Sequence, residues 1–409
     1  MRLRARWASA ALLLLVPLLA GTGTDAMAAD PDRGLAPLER SAQAVPGQYI
    51  VSLKPLFSPS TVLRQLRVNP LHTYETALSG FAAKLSPSEL DLVRRFPAVA
   101  AVEENAVVTA NSATTKAGAK AGAGARALAG RQARVPALSW GLDRIDQRNL
   151  PLDGQYDVKG TGKGVTAYIV DSGIETAHPE FAGRASVGFD SVGDGQNGQD
   201  CHFHGTHVAG TVGGSNYGVA RDVSLVSVRV LGCDGSGTWA GVLAGFDWVA
   251  KNAKQPAVMN ASIGGPRSTA VNAAVNAVAD SGVVSVVAAG NENQNACDVS
   301  PASASKVVTV GATDKEDRQA TFSNWGTCLE LYAPGVGIIS AKLGGGYNAL
   351  NGTSMASPHV AGVAALLKEK YPTASPAAVS NWLVQESDKD LVTSIGAGSP
   401  NRLLYTDGL

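Results

Sequence analysis

From residue 164 onward, short apolar runs rich in β-branched residues alternate with longer segments of helical spacing. Val165–Val170, Val223–Leu231, Ala257–Met259, Val283–Ala288 and Val307–Val310 have strand length and are largely apolar on both faces. Thr238–Lys251, Thr269–Ala279 and Met355–Tyr371 repeat apolar positions at helical intervals, the last with Val360, Val363, Leu366 and Leu367 at core spacing. Strands without a polar face, separated by helices, predict an α/β fold: a doubly wound, mostly parallel sheet with helices on both faces. Such a sheet gathers its functional residues outside the C-terminal strand ends.

Residues 46–110 have a different rhythm and predict a small α+β unit. Gln48–Leu53 and Leu78–Leu85 alternate as strands, Thr61–Val68 has helical spacing, and a last strand is expected over Val99–Val108. Ser86-Pro87-Ser88-Glu89 reads as a capping box with proline at the first helical position, opening a helix to about Arg95. The unit has one histidine, His72, without a catalytic partner nearby, so its role is not chemical. Residues 111–134 are mostly Ala, Gly, Lys and Arg and bury too little to offset their ordering entropy, which predicts an exposed, cleavable linker. At the N-terminus, Arg2, Arg4 and Arg6 precede the apolar run Ala8–Ala20 and the small-residue site Ala26-Met27-Ala28. This reads as a secretory signal peptide over 1–28, since the run is short of the ~20 residues a membrane anchor needs. Signal, small domain (46–110), linker (111–134) and large domain (135–409) together have the layout of a zymogen.

The 34 basic and 34 acidic side chains cancel, which argues against a nucleic-acid partner. A hydrophobic fraction of 45% excludes wholesale disorder and supports a large core. Four cysteines, an even number, suit disulfides in a secreted chain, although the number alone leaves three pairings open.

Three segments place polar residues where core residues would otherwise stand. They are Tyr168-Ile169-Val170-Asp171-Ser172-Gly173, with Asp171 at a strand end; His204-Gly205-Thr206-His207-Val208-Ala209-Gly210, opening a helix; and Gly352-Thr353-Ser354-Met355-Ala356, with Ser354 heading a long helix. Each supplies one member of an Asp/His/Ser set: a nucleophile, the base that takes its proton, and the carboxylate that orients the base. Ser354 at a helix N-terminus adds backbone N–H groups and a positive dipole end, and Asn291, after the strand Val283–Ala288, has an amide suited to an oxyanion. Other readings fit less well. His204 and His207 form HxxH, but the chain has no HExxH and only six histidines. Gly352–Ala356 approaches a G-x-S-x-G elbow, but the one later histidine, His359, is five residues on in the same helix. Gly193–Gly198 matches GxGxxG without opening an apolar helix.

The three segments, in the order Asp, His, Ser, resemble the active-site motifs of the subtilisin-like serine proteases. Trp140–Gln147, Phe322-Ser323-Asn324-Trp325-Gly326 and Ser399–Tyr405 are similar to the proteinase K branch and its aqualysin-like members, and residues 46–110 resemble that family's inhibitory propeptide. The resemblance implies that Asp171 orients, His204 is the base, Ser354 is the nucleophile, and Asn291 and Ser354 form the oxyanion hole. It implies that Gly235-Ser236-Gly237 and Ser262-Ile263-Gly264 flank an extended peptide substrate, and that Ala288, Ala289 and Gly290 line a pocket for a large apolar or aromatic side chain before the cut. It favours pairing Cys201 with Cys233 and Cys297 with Cys328. It implies structural Ca2+ on Asp143, Asp146, Gln147 and Asp153, three of them at helical i, i+3, i+4 spacing. The bland alternative is that Arg144 and Arg148 neutralise these acids. A second calcium site would use Glu330 with carbonyls near Ser305 and Val307, and a third the acidic loop of Asp190, Asp194 and Asp200. The expected protein is a secreted, monomeric, broad-specificity endopeptidase of proteins and peptides, held by its own propeptide and cut between Gly130 and Arg134, with no membrane attachment after signal removal. An inactive protease-fold binding protein is the alternative; the complete Asp/His/Ser set argues against it.

A histidine base accepts a proton only when neutral, and histidines ordinarily titrate near ~6.5. Peptide hydrolysis should therefore fall away below that pH and persist into the alkaline range. An acidic optimum in a pH–rate profile would exclude the mechanism.

Overall fold

The computed structural model describes residues 34–110 and 134–409. The expected signal peptide and, apart from Arg134, the linker with its expected cleavage point near 130–134 lie outside the described residues.

The small unit is an antiparallel sheet in the order Val99–Ala110, Ala44–Leu53, Gly80–Lys84, Pro70–Tyr74, with helices α1 (Pro59–Leu66) and α2 (Pro87–Arg95). Val62, Leu63 and Leu66 of α1 and Val93 of α2 pack with Val51, Phe81 and Val102 of the strands. At the start of α2, the Ser86 hydroxyl accepts from the Glu89 N–H and the Glu89 carboxylate from the Ser86 N–H, the reciprocal capping its sequence predicts. Pro70–Tyr74 went unpredicted because it begins with proline and lies half-exposed at the edge, without an alternating apolar face.

The large unit is built on a nine-stranded sheet. Its order is Asp388–Lys389, Arg402–Leu403, Leu331–Pro334, Val308–Thr313, Val284–Ala288, Ala257–Ala261, Thr166–Asp171, Ser224–Arg229, Ala185–Asp190. Every pairing in it is parallel except that of Asp388–Lys389. The central strand Thr166–Asp171 shows why both faces are covered. Ala167 and Ile169 point to one core, shared with helices α4 (His204–Gly213), α7 (Thr353–Lys370) and α8 (Pro376–Glu386). Tyr168 and Val170 point to the other, shared with α5 (Trp239–Asn252) and α6 (Thr269–Asp280). A short helix, α3 (Trp140–Ile145), precedes the sheet. The chain runs from Thr166–Asp171 to the edge on one side and returns across it at Ala257–Ala261, so the strand order reverses between these two neighbours. A crevice opens at their C-terminal ends, as such reversals require.

Periodicity located the central strands and helices within a few residues. It missed Ala185–Asp190, a partly exposed edge strand, and Leu331–Pro334, four buried residues closed by a proline. It also missed α8, although Ser375-Pro376 is a cap followed by proline at the first helical position.

Candidate active site

Asp171 ends the central strand and His204 begins α4. Both are fully buried, and His204 Nδ1 lies 2.8 Å from Asp171 Oδ1. The helix is held to the strand by a second carboxylate that sequence reading treated only as a calcium candidate. Asp200 accepts from the N–H groups of His202 (2.9 Å), Phe203 (3.1 Å) and Thr206 (2.9 Å) and from the Thr206 hydroxyl (2.6 Å). It also accepts from Ser172 Oγ (3.0 Å), which in turn accepts from the Gly205 N–H (3.0 Å). Asp200 thus caps α4 and fixes its first turn against the strand end carrying Asp171. An aspartate shortly before a helix start was the signal available.

Ser354 is the second residue of α7, fully buried in this state. Its hydroxyl donates to the Ser262 carbonyl (3.1 Å), and Ser262 Oγ donates back to the Ser354 carbonyl (3.0 Å). The second bond has a cause four residues on. Pro358 lacks the N–H that would have bonded the Ser354 carbonyl along the helix, so Ser262 supplies the donor. Ser262 is itself tied through Asn260 Nδ2 (2.8 Å) to Ser357 Oγ, which donates to Asn260 Oδ1 (2.6 Å). His204 Nε2 has no hydrogen-bond partner among the described residues. Closing a Ser354–His204 bond therefore requires the hydroxyl to leave Ser262.

Asn291 Oδ1 accepts from the Thr353 N–H (2.9 Å) and hydroxyl (3.0 Å), which fixes the end of the amide that meets the helix. The Thr353 hydroxyl also accepts from the Gly290 N–H (3.1 Å). Gly290 has φ +104, and a Cβ there would stand 2.1 Å from Asn324 Nδ2, so only glycine fits. Ala288 and Ala289 are buried beside it. The surface there is less neutral than expected, because the Glu292 carboxylate accepts from Asn291 N–H (2.9 Å) and Asn324 Nδ2 (3.0 Å) at its rim.

The cleft between the two expected substrate segments is filled by the small unit's own chain. The end of strand Val99–Ala110 pairs antiparallel on both sides, Thr109 opposite Ser236 and Gly264, and Ala110 opposite Ile263. The Ala110 N–H donates to the Gly235 carbonyl at 3.0 Å. Ala110, the last described residue of that strand, is thus one register step from Ser262. The same strand caps two helices of the large unit. Asn105 Oδ1 accepts from the Ala240 N–H in the first turn of α5 (2.9 Å). Glu103 accepts from the Ala270 N–H (2.7 Å) and Ser268 Oγ (2.6 Å) at the start of α6. Asp247 of α5 accepts from the N–H groups of Glu75, Thr76 and Ala77 at 3.1, 2.7 and 2.8 Å.

Disulfides join Cys201 to Cys233 and Cys297 to Cys328, with no free cysteine among the described residues. Asp143 in α3 and the acids that follow it accept from one loop. Asp143 accepts from the N–H groups of Asp153 (3.2 Å) and Gly154 (2.8 Å), Asp146 from that of Asp157, and Gln147 Oε1 from that of Asp153 (3.2 Å). Burial, then the charges of Asp143, Asp153 and Asp157, pushes the Asp146 carboxyl up to about 6. Asp157 belongs to this group and lay just beyond the segment singled out from sequence. Arg144 and Arg148 do not neutralise it: Arg144 is buried against Asp317 (2.7 and 3.0 Å), and Arg148 pairs with Asp388 (2.8 Å). The acids of the other two expected calcium sites have protein partners. Glu330 is turned onto the Thr309 N–H (2.6 Å), and burial pushes it up to about 7, so it ties two strands as a largely desolvated acid. Asp190 (3.1 Å) and Asp194 (2.6 Å) pair with the buried Arg229, and Asp200 is the cap of α4. His207 Nε2 faces the carbonyls of Ile338 (3.1 Å) and Asn348 (3.2 Å), and His359 Nδ1 that of Met355 (2.8 Å), which places both in the packing.

The sequence profile of the subtilase family matches residues 162–402, and that of peptidase inhibitor I9 matches residues 48–111. The chain is 44% identical over 365 residues to alkaline serine exoprotease A of Vibrio alginolyticus, covering 88% of this chain and 65% of the relative, slightly under two thirds of its length. It is 43% identical over 422 residues to an extracellular serine proteinase of Thermus sp. (strain Rt41A), covering 97% and 98%. A crystal structure of a cold adapted subtilisin-like serine proteinase superposes with a TM-score of 0.64 at 51% identity, covering 65% of this chain and 97% of that one.

The helix carrying His204 leaves no room at its second residue. A Cβ on Gly205 would stand 2.1 Å from the Gly173 carbonyl oxygen, a backbone atom that cannot swing away. Gly205→Ala should push α4 off the strand, misplace His204, and lower kcat/KM by about a hundred-fold or more. Peptide hydrolysis checked beside circular dichroism, which should show a folded protein, tests this.

Proposed function

The chain belongs to the subtilase family and is a subtilisin-like serine protease with an I9-type inhibitor unit, and we propose that it is a secreted, broad-specificity endopeptidase made as a self-processing zymogen. The observation that carries this reading is the antiparallel strand Thr109–Ala110 lying between residues 236–237 and 263–264, one register step from the Ser262–Ser354 pair. A peptide in that place is held by backbone bonds, which read extended shape more than side-chain identity. Secretion is supported by the signal-like N-terminus and the extracellular Thermus relative. No described helix is long and apolar enough to cross a membrane.

In the proposed mechanism the Ser354 hydroxyl leaves Ser262, and His204 Nε2 takes its proton as Oγ attacks the peptide carbonyl carbon. Asp171, at 2.8 Å from Nδ1, holds the ring in the tautomer that leaves Nε2 free to accept, and stabilises the imidazolium that forms. Negative charge on the carbonyl oxygen is met by the Asn291 amide and the Ser354 N–H at the positive end of α7. The imidazolium gives its proton to the leaving amine, and water then hydrolyses the acyl-enzyme by the same steps. The pocket at Ala288–Gly290, small-walled except for Glu292 at its rim, takes a large apolar or aromatic side chain before the cut.

The first bond presented to Ser354 is the one just beyond Ala110, rather than one near 130–134. Ser354→Ala should fold and keep the proregion covalently joined, whereas the unsubstituted chain acquires a new N-terminus past Ala110. N-terminal sequencing checks this; the same trimming in the purified variant would disprove self-processing.

Calcium would sit on Asp143, Asp146 and Asp153, with Gln147 and Asp157 beside them. The group suits a hard cation in ligand type: its acids meet on one loop, the nearby arginines are engaged elsewhere, and burial, then its neighbours' charge, raises Asp146, while no three of its carboxylates lie within 4.8 Å of one another. Bound only by the folded form, the ion stabilises by mass action. A chelator should lower the melting temperature of the Ser354→Ala protein by about 5 °C or more. With Asp143→Ala plus Asp146→Ala added, the curve should no longer respond. Superimposable curves with chelator and with excess calcium would show that the ion is not structural.

A further inference from the structure

Ahead of the small unit's first long strand, the chain makes a short one, Leu38–Glu39. It pairs parallel with strand Val99–Ala110, Leu38 opposite Val102 and Glu39 opposite Glu103. On their other edge Val102 and Glu103 face Val51 and Ile50 of Ala44–Leu53. The strand that fills the cleft is therefore paired on both edges before it arrives there. The Val102 N–H donates to the Pro37 carbonyl (2.9 Å), and Ala36 is tied to Arg94 of α2: its N–H donates to the Arg94 carbonyl (2.8 Å), and its carbonyl accepts from Arg94 Nε (2.9 Å). The chain then crosses over Glu104, whose carboxylate accepts from the Ser41 N–H (2.9 Å) and from Arg40 (3.2 Å). It reaches the other edge at Gln43, whose carbonyl accepts from the Val107 N–H (3.0 Å). Residues 36–43 thus wrap the strand just ahead of residues 107–110, and they precede the part matched by the inhibitor profile, 48–111.

The register of this wrap sets two acids side by side. Glu39 and Glu103 are directly paired, and like charges so placed repel. Burial first, and also the Glu39 charge, push the Glu103 carboxyl up, while its bonds to Ser268 and Ala270 hold it down. For the small unit by itself the pairing is a cost. On the large unit it is offset, because both carboxylates meet the start of α6. Glu103 accepts from Ser268 Oγ and the Ala270 N–H. Glu39 accepts from the hydroxyl of Thr269, the residue between those two, at 3.2 Å from either carboxylate oxygen. A helix start, with its free N–H groups and positive dipole end, is a favourable face for two acids. The hydrogen-bond partner of Glu39 thus lies in the large unit, although its strand belongs to the small one.

We propose that residues 35–43 are a strap belonging to the enzyme-binding surface of the proregion, with the start of α6 as its partner, and that the strap sets how long the cleaved proregion stays in the cleft. A second contact joined covalently to the cleft strand keeps that strand close each time residues 107–110 lift away, so rebinding outruns escape. The wrap holds the strand in line while this happens. The contacts inside the cleft do not involve the strap, so cutting past Ala110 does not depend on it. This inference rests on the protease reading above, and its test separates the two.

The full chain is left to process itself, the complex of enzyme and cleaved proregion is isolated and diluted, and the lag before a chromogenic peptide is hydrolysed is timed. Deleting residues 35–41 should shorten the lag about ten-fold, with the new N-terminus past Ala110 unchanged. Glu39→Ala and Thr269→Val should each shorten it about two- to five-fold, as befits one bond at an exposed rim. Combined, they should do no more than either alone, because they remove the same contact. A lag unchanged by the deletion overturns the proposal. If the deleted chain does not fold, the point variants decide: an unchanged lag in Glu39→Ala, or additive effects in the double variant, overturns it. A strap that only stabilised the small unit would leave Thr269→Val without effect, and that result overturns it too. If the unsubstituted chain never hydrolyses the peptide, the protease reading itself fails.

Discussion

Strand Val99–Ala110 belongs to two structures at once. Its first half is an inner strand of the small unit's sheet, paired with Ala44–Leu53, and its last residues are the peptide held in the cleft of the large unit. Because one continuous strand performs both tasks, folding of the small unit aims residues 107–110 at the cleft without any further ordering step. The docking is reinforced where the large unit most needs partners. The first turns of α5 and α6 expose N–H groups that nothing inside a helix can satisfy, and Asn105 and Glu103 of the same strand accept from them. Asp247 does the reverse, projecting from α5 to satisfy three N–H groups in a turn of the small unit.

Buried polar residues set the geometry of the site, and several of them are held by named partners. Asp200 gathers the N-terminal turn of α4 and, through Ser172, the strand end at Asp171. Pro358 withdraws one helical hydrogen bond and thereby brings Ser262 onto Ser354. Thr353 holds both Asn291 and Gly290. These contacts have little tolerance for displacement, because an unmade bond at any of them leaves a buried donor or acceptor in a medium where that is expensive. The glycines at 205 and 290 belong to the same scheme: the elements approach so closely that a methyl group would separate them.

Much of this was legible in the chain. Runs of β-branched residues at strand length, and stripes at helical spacing, sufficed for the α/β class and the central strands, because a parallel sheet buried on both faces has no other composition open to it. The Asp171, His204 and Ser354 segments stood out because each puts a polar side chain at an apolar element's end. The acidic loop after α3 was visible as charge density, but not which arginines would answer it. Arg144 and Arg148 are adjacent to the acids in sequence and bond to Asp317 and Asp388 instead. The partners of Glu330 and of the acids near Arg229 were hidden for the same reason, since composition says nothing about which backbone N–H or buried cation a carboxylate will meet.

What the sequence determined alone is therefore the inventory of elements and the residue types at their ends, since both follow from periodicity and local propensity over a few residues. The tertiary structure decided the pairings between distant segments: Asp171 with His204, Ser262 with Ser354, and Thr109 with both walls of the cleft. Such choices depend on distances between elements that chain-local patterns do not encode, and they are settled only when the sheet, its helices and the proregion strand pack together.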